Sequence, residues 1–284
     1  MKFARIGELG NEIPVVAQGD KLFDLRSITP DIGADFLERD PVDRVAGALS
    51  DGALPEAAVD VGSRFGAPIA RPGAVICIGM NYAAHAAESG SAPPSSPVVF
   101  LKTPNTVVGP NDPVTIPPGS TRTDWEVELG VVIGARAQRL ESPQDAVGHI
   151  AGFVTANDVS ERAHQLEISG GQWSLGKSAP GFCPTGPWLV TPDEVAYHDL
   201  RLTSRVNGSP RQDSSTADMI FPVDYLVWYL SHYLTLEPGD LILTGTPEGV
   251  ALGGRFPYLS AGDVVEIEVE GLGRQRSQFV ASTQ

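Results

Sequence analysis

Cysteine is almost missing from this chain. Cys77 and Cys183 are the only two in 284 residues. Such a pair makes neither a disulfide framework nor a zinc-ligand pattern. Cys77, inside Val-Ile-Cys-Ile-Gly (75–79), reads as a small core residue. Long apolar runs are missing too: none approaches the ~20 residues that span a bilayer. The N-terminus shows no basic region followed by an apolar signal core, so the expected location is the cytoplasm. Positive charge is scarce, with 20 Lys and Arg against 35 Asp and Glu and a net charge of −15. That balance argues against nucleic acid or an anionic membrane as partner. Only four of the 20 cations are lysine, so a lysine inside a motif stands out.

What is present points to many short strands. The chain holds 24 prolines and 31 glycines, which suit turns better than long helices. Residues 1–70 read as a small accessory α+β domain, with strands at 2–6, 13–17 and 21–25 and helices around 32–39, 42–50 and 55–62. A Pro/Gly-punctuated stretch, 64–73, reads as a linker to a larger domain over 71–284. Candidate strands there are 74–79, 98–101, 106–108, 126–134, 150–156, 200–206, 241–244 and 263–270. Asn207-Gly208 is a strong hairpin signal. One helix, Pro222–Leu236, carries apolar residues at helical spacing for core packing. Many strands with few helices imply a mixed β-sandwich or rolled sheet.

Chemistry concentrates in a few places. Glu126 and Glu128 sit at alternate positions of one strand and share a face, with Trp125, Val127, Leu129, Val131 and Ile133 on the other. Two carboxylates that close repel, and a hard divalent cation relieves the repulsion. A solvated strand face would carry them equally well. Asp158, just past the strand 150–156, is placed to be a third ligand, or to cap the helical stretch that follows. His85 and Glu88 are three apart, a helical spacing at which a carboxylate can orient an imidazole base. An exposed pair on an Ala-rich helix fits the same spacing. The flexible segment 89–97 would let that helix act as a lid. Lys102 and Lys177 lie beside apolar stretches. Lys177 is placed to stabilise an enolate or oxyanion, or to snorkel from a half-buried strand. The turn at Leu243-Thr-Gly-Thr-Pro-Glu-Gly (243–249) is either a carboxylate cradle or a plain turn.

These pieces together resemble the fumarylacetoacetate hydrolase family over 74–284. The matching motifs run in family order: Gly79-Met-Asn-Tyr-Ala-Ala-His85, Phe100-Leu-Lys102, Glu126-Val-Glu128-Leu, Asn157-Asp158, Gly176-Lys177-Ser178, Val206-Asn-Gly208, Glu237-Pro-Gly-Asp240, Leu243-Thr-Gly-Thr-Pro247 and Gly262-Asp263. Each is weak alone, and the ordered series is specific. The resemblance implies a fumarylacetoacetase-like β-roll or sandwich, a homodimer, and Mg²⁺ or Mn²⁺ held by Glu126, Glu128 and Asp158. It implies His85–Glu88 as a lid dyad that activates water and Lys177 as electrophile. It also implies Tyr82, Lys102, Arg162, Gln165 and Thr246 as substrate contacts.

The nearest branch of the family acts on acylpyruvates and 2,4-diketo-3-deoxy sugar acids. The implied reaction is hydrolysis of the C3–C4 bond of a 2,4-dioxo acid to a pyruvate-type 2-oxo acid and a carboxylic acid. Decarboxylation of oxaloacetate-like acids and isomerisation or hydration of dienoates are the family alternatives. A non-catalytic binder of metal and 2-oxo acid is the alternative of another class. The run Ser178–Cys183 departs from the aromatic or Asp-Thr sequence often found after the lysine, which leaves the specificity of the pocket open.

Overall fold

Short apolar runs rich in Val and Ile become strands when glycine and proline keep them from growing into helices. The computed structural model describes residues 1–59 and 62–282. Its first part holds β1 (Lys2–Ile6), β2 (Ile13–Gln18), β3 (Lys21–Asp24), α1 (Ala34–Leu37) and α2 (Pro41–Ser50). Next come β4 (Val75–Gly79), α3 (Ala83–Glu88), β5 (Val98–Lys102), β6 (Val107–Val108), β7 (Val114–Ile116), β8 (Thr123–Asp124), β9 (Val127–Ile133), β10 (Ile150–Asn157) and β11 (Ser160–Glu161). The remainder holds α4 (Trp173–Lys177), β12 (Cys183–Pro184), β13 (Leu189–Val190), β14 (Arg201–Val206), β15 (Ser209–Ser215), α5 (Val223–Ser231), β16 (Leu241–Leu243), β17 (Val264–Val269) and β18 (Gly273–Ala281).

A nine-stranded sheet in the order β3-β2-β1-β13-β10-β9-β16-β4-β5 carries the architecture, and a five-stranded sheet, β15-β14-β17-β18-β7, packs against it. Side-chain alternation in β9 decides which face goes where. Val127, Leu129, Val131 and Ile133 enter the core shared with the smaller sheet, alongside Phe153, Leu202, Ile267, Phe279 and the apolar face of α5. Val132, on the opposite face, joins Val75, Cys77, Val154 and Leu241 in a second core. Both faces of β9 are therefore buried, and no solvated face exists to hold the two glutamates cheaply.

The large sheet rolls up. After β5 the chain makes β6, which pairs in parallel with β12, and Thr185 beside β12 bridges Ala156 of β10. Edge strand β5 thus returns close to β10, four places away in sheet order. Lys102 at the end of β5 reaches Asp158, just beyond the end of β10. The expected mixed β-roll with few helices is what forms.

Within the first 70 residues Ala4, Ile6 and Val15 form a small cluster of their own, and other apolar residues there join the larger part. Strand β1 pairs with β13, and Phe3, Val16, Leu25 and Phe36 share a core with Val75, Val132 and Leu243. The helix expected at 55–62 does not form over 55–59, and residues 60 and 61 lie outside the described residues. Instead Asp24 N–H donates to Pro55 O and Ala57 N–H donates to Leu22 O, so the open edge of β3 takes those peptide groups as a strand would. The helix expected over 222–236 stops at Ser231, and Leu236 turns to bridge Ala137. The Asn207-Gly208 hairpin forms as expected, with φ of 52° and 76° at its two turn residues.

Phe153 is fully buried between the sheets and stacks on Tyr197 with ring centroids 4.5 Å apart. Phe153→Ala is expected to cost ~3–5 kcal/mol of stability through lost burial and a cavity. Denaturant unfolding checks this, and a loss below ~1 kcal/mol would show that the two sheets do not depend on this contact.

Candidate active site

Three carboxylates converge because two neighbouring strands run in register. In the β9–β10 pair Ala156 faces Glu128, and Asp158 N–H donates to Glu126 O at 3.0 Å. Period-two alternation then carries Val154, Ala156 and Asp158 on one face and Glu126, Glu128 and Val132 on the same face next door. Oxygens of Glu126, Glu128 and Asp158 lie within 4.8 Å of one another, and all three residues are buried.

Cations surround this cluster unevenly. Lys177 Nζ donates to Glu126 Oε2 at 2.6 Å and to Asp158 Oδ2 at 2.7 Å. Lys102 Nζ donates to Asp158 Oδ1 at 2.5 Å and to Val159 O at 3.1 Å. Arg162 sits 2.7 Å from Glu126 and pairs with Asp124 through Nε at 2.9 Å and Nη2 at 2.8 Å. Among the described residues Glu128 has no cation in ion-pair contact, and its Oε2 accepts from Gly245 N–H at 2.8 Å.

The titration of the groups follows. Burial pushes the Glu126 carboxyl up, but Lys177 and Arg162 outweigh it and hold it well below the usual range. Burial together with the Asp158 and Glu126 charges pushes Glu128 well above its ordinary value. Lys177 resists the desolvation that would neutralise it, because Asp158 and Glu126 hold its proton on.

Asp124, Glu126, Glu128 and Asp158 make four buried carboxylates against the three cations Lys102, Arg162 and Lys177. The excess negative charge falls on Glu128. A divalent cation between the three facing carboxylates would remove it, using hard oxygen donors suited to such an ion. The residues present therefore fit a divalent metal, and Glu126, Glu128 and Asp158 are the residues that would hold it.

Above the carboxylates lies a cavity of about 200 Å³. That is small beside the ~300–1,000 Å³ of sites for drug-sized ligands, so it suits a short acid. Ile78, Phe100 and Trp173 give it an apolar wall; Glu126, Glu128, Arg162, Gln165 and Lys177 give it a charged floor. Trp173 packs directly against Gly79, where a Cβ would meet its ring at 2.3 Å. Any side chain at position 79 would push this wall aside.

Helix α3 brings His85 and Glu88 to the rim of the cavity. His85 is buried rather than exposed, contrary to the reading of α3 as an open Ala-rich lid; Ala83 and Ala84 take the solvent side. His85 Nδ1 stands 3.6 Å from Glu88 Oε2, a gap that apo catalytic pairs commonly show. Both Glu88 oxygens accept from Gly249 N–H at 3.1 Å, so the 243–249 turn anchors the dyad.

The expected substrate contacts divide. Gln165 lines the cavity, and its Oε1 accepts from Arg162 Nη1 at 2.9 Å, which turns its NH₂ group outward as a donor. Thr246 also lines the cavity, though its hydroxyl already donates to Val127 O and accepts from Gln212. Arg162 borders the cavity with its guanidinium engaged by Asp124, Glu126 and Gln165. Lys102 and Tyr82 do not line it. The Lys102 ammonium sits behind Asp158, and Tyr82 caps α3 with its hydroxyl buried and unpartnered. Both stand behind the cavity wall in this geometry.

Asp124 is the residue that sequence reading passed over. It accepts from Arg162 and from the backbone N–H groups of Trp125, Ala251 and Leu252, joining the floor to the segment over Glu88. Its signal was visible, because Asp124, Glu126 and Glu128 alternate. Asn81 escaped notice as well: its side-chain amide holds Thr244 O and Phe221 N–H, tying the turn to the segment just before α5.

Rolled sheet, carboxylate cluster and covering helix together define a fumarylacetoacetase-like hydrolase architecture. Residues 74–280 match the family described as fumarylacetoacetate (FAA) hydrolase, C-terminal, and the chain belongs to this family. It is 45% identical over 282 residues to 2,4-didehydro-3-deoxy-L-rhamnonate hydrolase of Sphingomonas sp. strain SKA58, covering 98% of this chain and 95% of that one. Fumarylacetoacetate hydrolase from Exiguobacterium antarcticum superposes with a TM-score of 0.85 at 34% identity, covering 99% of this chain and all of the other. A 5-carboxymethyl-2-hydroxymuconate delta-isomerase from Mycobacterium smegmatis superposes with a TM-score of 0.77 at 33% identity, covering both chains completely. The protein is a hydrolase of this family.

Metal binding is directly measurable. Calorimetric titration of EDTA-treated protein with Mn²⁺ is expected to show one site per chain, with Glu128→Ala weakening it about tenfold or more, since oxygen-ligand count sets affinity. Unchanged affinity in that variant would remove Glu128 from the ligand set.

Proposed function

We propose that this chain hydrolyses the C3–C4 bond of a 2,4-dioxo-3-deoxy sugar acid, releasing pyruvate and a shorter carboxylic acid. One observation carries the reading: a buried His85 beside a half-buried Glu88 faces a small cavity floored by a cation-deficient carboxylate cluster. The relative at 45% identity supports the substrate class, because its named substrate has oxo groups at carbons 2 and 4 and no oxygen at carbon 3.

Mg²⁺ or Mn²⁺ is the proposed cofactor, and when bound it supplies Lewis-acid chemistry to the 2-oxo acid end. The Gln165 NH₂ group, oriented by Arg162, is placed to donate to the substrate's carboxylate end. Trp173 and Phe100 exclude water from the carbon chain. His85, oriented by Glu88, takes a proton from water as its oxygen attacks carbon 4. The C3–C4 bond then breaks, its electrons pass to the pyruvate fragment, and carbon 3 regains a proton. Lys177 keeps Glu126 and Asp158 ionised through this sequence and places a fixed positive charge at the floor.

A panel of acylpyruvates, 2,4-dioxo-3-deoxy sugar acids, oxaloacetate and dienoates, assayed with Mg²⁺ and Mn²⁺, tests the reading. Pyruvate release is expected to be fastest from the dioxo acids. His85→Ala should lower that hydrolysis ~10²–10⁴-fold, the reach of a general base, and oxaloacetate decarboxylation much less. Equal losses in both reactions by a folded variant would reduce His85 to a positioning role. Faster turnover of a dienoate would favour an isomerase.

The proposal extends to a homodimer. Edge strand β5 exposes Val99 and Leu101, and neighbouring α4 exposes Leu175, an apolar edge of the kind that chains cover by association. Light scattering at micromolar concentration is expected to give twice the chain mass, and Leu101→Lys with Leu175→Lys should return it to one. A wild-type monomer would count against this extension alone.

A further inference from the structure

Strand β16 stops before the carboxylate end of β9, and two side chains take over its pairing. Leu243 pairs with Gly130, and Thr244 N–H donates to Leu129 O at 3.1 Å. Two residues along, the Val127 peptide groups point the same way and meet side chains instead. Val127 N–H donates to Gln212 Oε1 at 3.1 Å, and Val127 O accepts from the Thr246 hydroxyl at 2.8 Å. Gln212 Nε2 donates to Thr246 Oγ1 at 2.7 Å, which closes a ring, and to Pro247 O at 2.8 Å. A backbone donor on one side and a backbone acceptor on the other fix which end of this amide is oxygen. Gln212 is fully buried, and Ser204 Oγ fills the last of its four bonding positions at 2.9 Å.

Val127 lies between Glu126 and Glu128, so whatever holds its peptide groups holds both carboxylates. The loop on the other side of Gln212 holds the dyad, because Gly249 N–H donates to both Glu88 oxygens. Gly249 has a φ of 102°, and a Cβ there would meet Arg211 O at 2.4 Å and Gln212 Cγ at 3.1 Å. The loop therefore leans on the Gln212 stem at the very residue that anchors Glu88. One side chain from the smaller sheet touches the carboxylate strand and the dyad's anchor, while standing outside the cavity wall. Thr246 does line the cavity, but its proton goes to Val127 O, so it has no donor to offer a ligand.

We propose that Gln212 is a positioning residue for hydrolysis: with the Thr246 hydroxyl it forms a clamp that sets the separation between the carboxylate floor and the His85–Glu88 pair. The inference rests on the hydrolase reading above. Attack by water needs the base and the substrate carbonyl aligned, and a shift of about 1 Å costs up to ~10²-fold in rate. Binding of the 2-oxo acid end at the floor does not depend on where the dyad stands. The clamp therefore acts on kcat and leaves KM and metal affinity alone.

Gln212→Met, which keeps the length of the side chain and removes its four bonds, tests the clamp on 2,4-dioxo acids with Mg²⁺. Pyruvate release is expected to show kcat lowered ~10–10²-fold. KM should stay within about twofold, the pattern of a group that acts only in the transition state. Calorimetric titration with Mn²⁺ should give the wild-type affinity. Thr246→Val, the same outline without the hydroxyl, should also lower kcat, and the double variant should be no worse than the poorer single one. A raised KM with unchanged kcat in Thr246→Val makes Thr246 a substrate contact and overturns the clamp. Mn²⁺ affinity lost together with kcat in Gln212→Met reduces Gln212 to support of the fold and overturns it too. Amide hydrogen exchange gives a readout free of turnover: residues 246–252 should exchange faster in Gln212→Met, with β17 unchanged. Unchanged exchange over 246–252 overturns the clamp whether or not a dioxo acid is cleaved. A wild type that cleaves no dioxo acid overturns the hydrolase reading, and exchange then decides the clamp alone. If Gln212→Met does not fold, Thr246→Val carries both readouts.

Discussion

Charge balance in the floor of the cavity is the constraint on which the rest of this structure depends. Four carboxylates are held out of water within reach of three cations. Charges so placed are very costly unless paired, since taking each from water costs several kcal/mol. Lys177 bridges Glu126 and Asp158, Lys102 takes the other Asp158 oxygen, and Arg162 spans Asp124 and Glu126. Every element around the site serves that pairing. Strand β5 ends where Lys102 can reach in, α4 ends on Lys177, and the turn after β11 carries Arg162. Among the described residues no cation pairs with Glu128, which turns a structural cluster into a candidate metal centre.

Such pairing needs a rolled sheet. In a flat sheet β5 and β10 would stand four strand spacings apart, about 19 Å at ~4.8 Å each, too far for one lysine side chain. Closure through β6, β12 and Thr185 brings them together. The N-terminal strands then extend the same sheet on its other side, and their apolar residues complete the second core. The family match begins at residue 74, yet the sheet it describes is continued by β1 to β3.

Much of this was legible in the chain because strand alternation is a local property. The period-two spacing of Glu126 and Glu128 placed both on one face, and the apolar residues between them filled the other. Asp158, two residues beyond Ala156, follows from the same alternation in β10. The Asn207-Gly208 turn and most strands of the larger domain were likewise visible. Strand β18 was not, because its inward residues Gln275 and Ser277 are polar. Gln275 Nε2 donates to Thr155 O, Pro184 O and Gly186 O, so a polar side chain does structural work that patterning reads as solvent exposure. The segment at 55–59 failed for the converse reason: an open strand edge took up its backbone groups, whatever their helix propensity.

The sequence by itself determined which residue types face one another along each strand, and through its ordered motifs which family the chain joins. It did not determine which charged groups meet. Lys102 and Lys177 looked alike as rare lysines beside apolar runs, but one lies behind Asp158 and the other lines the cavity. Tyr82 and His85 are three residues apart, and the tertiary structure buries the first behind the site and sets the second at its rim. The physical reason is range. Alternation and turn chemistry act over a few residues, whereas ion pairing and burial are decided by strands whose ends meet only when the sheet closes.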